Sequence, residues 1–447
     1  MTKIIISRRE LLKVSAATGV ALAAPMHFVR GAYAADACNM PTGNTVTLGF
    51  NVPQTGPYAD EGMDELRAFK LAVKHLNGEG DGGMLTTMKP TALTGKGILG
   101  KKVAYVTGDT QTKSDAARAT AKRMIEKDGA VMISGGSSSG VAVAVQSLCQ
   151  DVGIIFMAGL THSNDTTGKD KRRYGFRHFF NAYMSGVALG PVLAEAYGKD
   201  RKAYHLTADY TWGWTQEESM KAATEKLGWK TVAAVRTPLG AGDFSQYITP
   251  VLSSGADVLR LNHDGKDMVN SLTQAVQFGL RDKTVNGKKF EIVVPLVSEL
   301  MAEGAGDAMK GILGTANWSW KLDNPGTKAF VKSFGQEYGF PPSQAAQTCY
   351  VQALLYADAV ERAGTFYPPE VIKKLEGFEF TGMGNGPTLY RAADHQCFKD
   401  VLVVQGNETP KNKYDLLNVF KIVPGKDVMY DPAMFGGELG PYDAKPC

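Results

Sequence analysis

Short apolar runs alternate along most of the chain with longer stretches whose apolar positions recur at helical spacing. The run Val46 to Asn51 leads through Val52-Pro53-Gln54-Thr55-Gly56-Pro57-Tyr58-Ala59-Asp60-Glu61-Gly62 into a stretch with Leu66, Phe69, Val73 and Leu76 on one stripe. Together they predict a strand, a loop and a helix. Met84 to Gly100, rich in Thr, Gly and Lys, reads as a surface excursion, after which Lys102 to Thr107 predicts a strand and Ser114 to Lys127 a helix. Ala130 to Ser134 then predicts a strand, Gly135 to Gly140 a turn, Val141 to Asp151 a helix and Gly153 to Ala158 a strand. The aromatic segment Tyr174 to Tyr183 suits a passage from one lobe to another.

Beyond it the alternation starts again. Helices are predicted over Met184 to Tyr197, Gln216 to Leu227 and Phe244 to Ser253, and strands over Ala203 to Thr207, Val232 to Thr237 and Val258 to Leu261. Later helices cover Asn324 to Tyr338 and Ser343 to Ala363, and later strands Val401 to Gln405 and Leu417 to Val423. Alternating strands and helices predict an α/β fold of parallel sheets covered on both faces. A length of 447 residues with no low-complexity linker calls for two lobes.

The amino terminus reads as an export address. Ser7-Arg8-Arg9-Glu10-Leu11-Leu12-Lys13 has the twin-arginine pattern, Val14 to Ala24 is a short apolar run, and Ala32-Tyr33-Ala34 is a small-x-small cleavage site. Residues 1–34 are thus expected to be removed on export to the periplasm. With them go five basic residues and one acidic one, which brings the formal charge of +4 to about neutral. A neutral chain without a long basic run gives no footing for nucleic acid or an anionic membrane, and no segment reaches the roughly 20 apolar residues of a membrane span. Of the five cysteines, Cys149 and Cys349 fall in predicted helices and suit buried thiols. Cys38, Cys397 and Cys447 lie in terminal or loop-like stretches and are the better disulfide candidates; no spacing resembles a zinc site.

The chemistry concentrates between Gly129 and Thr167. Ser137, Ser138 and Ser139 fall where a strand hands over to a helix, so hydroxyls and unpaired N–H groups share one space at the positive end of the helix dipole. The loop Gly159-Leu160-Thr161-His162 follows the next strand and is expected beside them, at the carboxyl edge of a parallel sheet. Two adjacent loops then face one carboxylate-sized target. Gly136, Ser138 and Gly140 also match G-x-S-x-G in the strand-turn-helix setting of a nucleophile elbow. Its base would come from His162, His178, His205, His263 or His395, the last preceded by Asp394, and no HGG-type oxyanion segment precedes the serine. A serine hydrolase using Ser138 is the alternative reading.

Six motifs occur in order: the TGPYADEG turn, the serine turn, the GLT loop, Asp209-Tyr210-Thr211-Trp212-Gly213, Thr237 to Ser245, and Gly255-Ala256-Asp257-Val258. Together they resemble the branched-chain amino-acid type of periplasmic solute-binding protein of ABC importers. The resemblance implies a type I periplasmic binding fold: two Rossmann-like lobes with parallel sheets joined by three hinge crossovers. Lobe 1 would comprise residues 35–181 and 318–385, and lobe 2 residues 182–317 and 386–447. It implies a monomeric, non-enzymatic receptor without metal or cofactor that passes a small carboxylate ligand to an importer's membrane permease. A sensory input partner for a membrane receptor is a further possibility.

In such proteins the serine turn and the next loop bind the ligand's carboxylate, which here implies Ser138, Ser139, Gly159, Leu160 and Thr161. A first-loop aromatic contact falls at or near Glu61, with Tyr58 three residues earlier, and a cleft tyrosine of the second lobe becomes Trp212, with Trp214 close by. The chain departs from the pattern at the ligand's other end. Leu261-Asn262-His263-Asp264 stands where these proteins place a tyrosine, and Leu296-Val297-Ser298-Glu299 where they place a glutamate for the ammonium. Asp264, Glu299 and Glu61 are the acids left to meet a cation; three acids near the expected cleft favour amino acids, while aromatic or other carboxylic acids and amides stay open as ligands.

Overall fold

The computed structural model describes residues 39–442. The export signal, Cys38 and Cys447 lie outside them. β1 (Thr45–Val52), β2 (Lys102–Asp109), β3 (Ala130–Gly135), β4 (Ile155–Ala158) and β5 (Gly175–Arg177) form one all-parallel sheet in the order β2-β1-β3-β4-β5. Crossovers are made by α1 (Ala59–Leu76), α2 (Ser114–Glu126) and α3 (Ser139–Val152). The predicted stripe of α1 is the buried one: Leu66, Phe69, Val73 and Leu76 all enter the core.

The second sheet starts after α4 (Ala182–Tyr197). Its parallel part comprises β6 (Lys202–Ala208), β7 (Lys230–Thr237) and β8 (Val258–Asn262), with α5 (Thr211–Glu225), α6 (Ser245–Ile248) and α7 (Gly265–Gln277) between and after them. A small hairpin, β9 (Thr284–Val285) and β10 (Lys288–Lys289), precedes β11 (Glu291–Leu296), α8 (Glu299–Ala305) and β12 (Leu313–Ala316). The chain then adds α9 (Pro325–Tyr338), α10 (Gln344–Ala363) and α11 (Pro368–Leu375) to the first lobe, where α10 packs on α1. β13 (Glu379–Phe380), β14 (Thr388–Tyr390) and β15 (Cys397–Phe398) make a small antiparallel sheet, and β16 (Val401–Gly406) and β17 (Leu417–Val423) return to the second.

The expected α/β fold with parallel sheets is present, and the second sheet, β17-β16-β12-β11-β8-β6-β7, gains antiparallel β16 and β17 at one edge: β16 enters after the excursion through α9 to α11, and β17 follows it by a short return. Two expectations are corrected. The stretch after α1 is no surface excursion, because Met84, Met88, Leu93 and Ile98 are buried in the first core. The helix expected over Phe244 to Ser253 is α6 followed by a 3-10 turn, Thr249–Ser253; Pro250 has no N–H to continue α-helical bonding.

The stretches expected to cross between lobes lie side by side. Phe180 N–H donates to Asn317 Oδ1 at 3.4 Å, and Asn385 Nδ2 donates to the Asn317 carbonyl at 2.7 Å. Lys399 Nζ donates to Asn317 Oδ1 at 2.7 Å; burial among these neutral amides pushes its ammonium down to about 8. Cys149, Cys349 and Cys397 are buried free thiols. The disulfide expectation for Cys397 is thereby corrected: it sits in β15 with its sulfur 3.6 Å from His178 Nδ1.

Candidate functional site

α1 starts immediately behind the TGPY loop, which its glycine permits: a Cβ on Gly62 would lie 1.8 Å from the Pro53 carbonyl oxygen. This flush seating sends Tyr58, Glu61 and Glu65, at successive turns of one helical face, towards the boundary between the lobes. Tyr58 is wholly buried, and its hydroxyl lies 2.7 Å from that of Tyr210 in the turn before α5. Lys266 N–H donates to the Pro57 carbonyl at 3.1 Å, and Gly265, at φ +52°, has no room for a Cβ beside the Tyr58 ring. The two lobes therefore meet along the TGPY loop.

Asp264 precedes α7 and faces Glu61 across this boundary. Burial, and then the Asp264 charge, hold Glu61 well above the usual carboxylate range; burial likewise raises Asp264, despite a hydrogen bond from the Gly265 N–H. Asp267, one turn into α7, accepts from Gly240 N–H at 2.8 Å and is pushed up by burial to about 6. Among the described residues no lysine or arginine forms an ion pair with Glu61, Asp264 or Glu65, and burial is the largest influence on each. These acids are desolvated without a counter-charge, an arrangement that favours protonation or an incoming cation.

The serine turn has another character. β3 ends at Gly135, whose φ of +119° and closeness to the Asn51 carbonyl exclude a side chain. Ser138 is the N-cap residue of α3, yet its side chain makes no capping bond. Ser139 Oγ instead accepts from His162 N–H at 3.2 Å, Ser163 N–H at 3.0 Å and the Thr161 hydroxyl at 3.1 Å, so it pins the following loop. Gly159 N–H donates to the Gly135 carbonyl at 2.7 Å. Beneath both segments lies Glu65, which accepts from Ser137 Oγ at 2.5 Å and from Leu160 N–H at 3.3 Å.

Trp212 is buried, with ring centroids 6.0 Å from Tyr210 and 6.2 Å from His162, so contacts run from the serine turn through His162 and Trp212 to the Tyr210–Tyr58 pair and the facing acids. The indole N–H of Trp212 has no partner among the described residues. Trp214, on the opposite side of α5, is 40% exposed and donates to Asp209 instead. Glu299 stands apart on a cavity of about 260 Å³ shared with Arg67, Trp320, Phe340, Ser343 and Tyr414; burial pushes it up to about 7. Tyr350, which the sequence left between cleft and core, is a core residue bonded to His75.

Sequence reasoning missed Glu65, Tyr210 and Asp267. Glu65 had a signal: it lies four residues after Glu61, on the helical face that also carries the buried Ala68, Phe69 and Ala72. Tyr210 had none beyond lying in the turn after a strand, and Asp267 none beyond the first turn of the helix that follows β8.

The nucleophile elbow lacks its base. His162 is the histidine beside the serine turn, and both ring nitrogens are committed, to the Phe180 carbonyl at 2.7 Å and Gln216 Oε1 at 2.9 Å; burial pushes it down to about 3. His395 stacks on Phe176 and bonds the Gly175 carbonyl and Glu376, while Asp394 pairs with Arg391. These contacts give the hydrolase reading no support. No group of three His, Cys, Asp or Glu among the described residues is placed to hold a metal ion.

The family profile described as periplasmic binding protein matches residues 45–412, most of the chain. The chain belongs to the periplasmic binding protein family. This periplasmic binding protein is 24% identical over 370 residues to Leu/Ile/Val-binding protein homolog 1 of Brucella abortus, covering 80% of this chain and 87% of that one. An amino acid ABC transporter substrate-binding protein from Pseudomonas fluorescens Pf-5 superposes with a TM-score of 0.75 at 24% identity, covering 89% of this chain and 100% of the other. A solute-binding protein of an ABC transporter from Rhodopseudomonas palustris, solved with 3,4-dihydroxybenzoic acid, gives 0.73 at 20% identity, covering 86% and 98%. The likeness to these solved structures shows the type I periplasmic binding fold, and the profile match makes the chain a periplasmic binding protein.

Proposed function

We propose that this periplasmic binding protein captures an amino acid between its lobes and delivers it to the permease of an ABC importer. The observation that carries the ligand class is the pair Glu61 and Asp264, both buried and near enough for the Asp264 charge to raise Glu61, with no ion pair to either among the described residues. A ligand ammonium between them supplies the missing charge and displaces the proton that such a pair holds. An aromatic acid supplies none, and leaves two desolvated carboxyl groups next to its own. At the other end, Ser138, whose hydroxyl does not cap its helix, takes the ligand carboxylate, with the α3 amino terminus behind it, and Thr161 joins it by turning its hydroxyl hydrogen from Ser139 to the ligand.

In this reading Ser139, Gly159 and Leu160 hold the socket in shape, Trp212 covers the ligand, and Glu299 serves the cavity beside the cleft. Capture is a population shift: the open form binds through the first lobe, and Asp264, Tyr210 and Trp212 favour closure because they touch the ligand only when the lobes meet. The twin-arginine route, the lobe limits given above and a monomeric state belong to the same proposal.

Native mass spectrometry of purified protein for a co-purifying ligand, followed by a thermal-shift panel, tests it. L-leucine, L-alanine or glycine should stabilise the protein, and their amides and benzoate should not. Stabilisation by benzoate-type acids alone overturns the amino-acid assignment.

A further inference from the structure

Glu65 does not belong in an anion socket. It is fully buried, and its carboxyl group occupies two donors, the Ser137 hydroxyl and the Leu160 N–H, of the very segments that would receive a ligand carboxylate. Gly159 packs against it, a Cβ there lying 3.2 Å from Glu65 Oε1 and 3.2 Å from Cys349 Sγ. A second carboxylate brought to these segments would meet a like charge in a low-dielectric space.

We propose that Glu65 is a proton-linked positioning residue: it locks the serine turn to the Gly159–Thr161 loop, and it becomes uncharged when a ligand carboxylate occupies the socket. Protonated on Oε2, Glu65 donates to Ser137 Oγ instead of accepting from it. The Ser137 hydroxyl hydrogen is then released to turn towards the ligand, while Oε1 keeps the Leu160 N–H. One proton is taken up from solvent, and no covalent bond other than its O–H changes. This rests on the carboxylate reading of the socket.

The surroundings favour this exchange. The titratable groups facing Glu65 are Asp64 and Glu61 on its own helix and Cys349 on α10. The socket segments add the neutral His162, Ser137 and the Leu160 N–H. Burial already pushes Glu65 up to about 7, so a small further rise fills the site with a proton near neutral pH. At the other end an ammonium between Glu61 and Asp264 expels a proton, so the two linkages have opposite signs, and affinity against pH should be bell-shaped with Glu65 setting the alkaline limb.

The test is calorimetry in buffers of differing ionisation enthalpy, which counts protons exchanged per ligand. The probe is the tightest binder among L-leucine, L-alanine, glycine and benzoate. Glu65→Gln mimics the protonated form: it should keep affinity within about threefold at pH 6, lose the alkaline fall, and shift the proton count towards release by up to about one. Glu65→Ala should weaken binding at every pH with its fold retained by circular dichroism. A proton count and pH profile unchanged in Glu65→Gln overturn the role of Glu65 while leaving the socket standing. Binding of none of the four probes overturns the carboxylate reading and the proposal with it.

Discussion

The two ends of the cleft satisfy their polar groups in opposite ways. At the serine-turn end, hydroxyls and N–H groups bond one another: Ser139 alone ties His162, Ser163 and Thr161 into place. At the acid end Glu61 and Asp264 face each other, buried, with no ion pair to either among the described residues. In the reading proposed above, the first end is preorganised before any ligand arrives and contributes geometry. The second is completed only by a ligand and contributes discrimination, because a buried charge without a partner separates right from wrong ligands by more than a hydrogen bond does.

A set of substitutions and a pH series probe that contrast. Asp264→Asn should weaken amino-acid binding by about 2 to 4 kcal/mol while leaving benzoate binding unchanged or tighter. Titration calorimetry with both ligands decides it, and an equal loss for both would erase the distinction between the ends. Ser138→Ala should weaken either class alike, by about 1 to 3 kcal/mol, since both bring a carboxylate to the same hydroxyl.

Closure is the next contributor. Tyr58→Phe or Tyr210→Phe each removes the 2.7 Å hydroxyl pair between the lobes and should weaken binding by about 1 kcal/mol. The double variant should lose little more than either single one, because the same bond is broken; additive losses in the cycle would show that the hydroxyls act separately. Trp214→Ala, at an exposed ring on the outer side of α5, should stay within about 0.5 kcal/mol of the wild type.

Proton linkage gives a test without ligand. Burial holds Glu65 and Glu299 at about 7, so the native state keeps protons that the unfolded chain has released. Their stabilising contribution is complete below their unfolded value of 4.5 and is lost as pH rises through about 7. His75, His162, His178, His205 and His263, all held neutral by burial, act in the other direction around their unfolded value of 6.5, an effect that fades above about pH 7. Between about pH 7 and 8 the unfolding temperature should therefore fall as pH rises. Differential scanning calorimetry should show a shallower fall in Glu299→Gln, and an unchanged slope would mean that Glu299 is charged throughout.

The serine turn and its loop were legible from the chain because they are local. Ala130 to Thr161 is one β-α-β unit, and the geometry of a parallel crossover puts its two loops side by side whatever else the protein does. The acid end is not local. Tyr58 and Tyr210 are 152 positions apart, and the sequence could say only that Asp264 follows a strand. In the sequence Asp264 and Glu299 had the look of solvated loop acids, and Cys397 of a loop cysteine; all three are shielded because elements from elsewhere in the chain close over them.

By itself, then, the sequence determined the alternation of strands and helices, the two-lobed class and the donor-lined turn, since periodicity and turn chemistry act over neighbouring residues. Only the tertiary structure decided that Glu61 faces Asp264, that Glu65 lies under the socket, and that His162 has no nitrogen free to serve a nucleophile. The reason is physical: desolvation and charge pairing depend on what is packed within a few ångströms, and that is set by the meeting of segments that the chain keeps far apart.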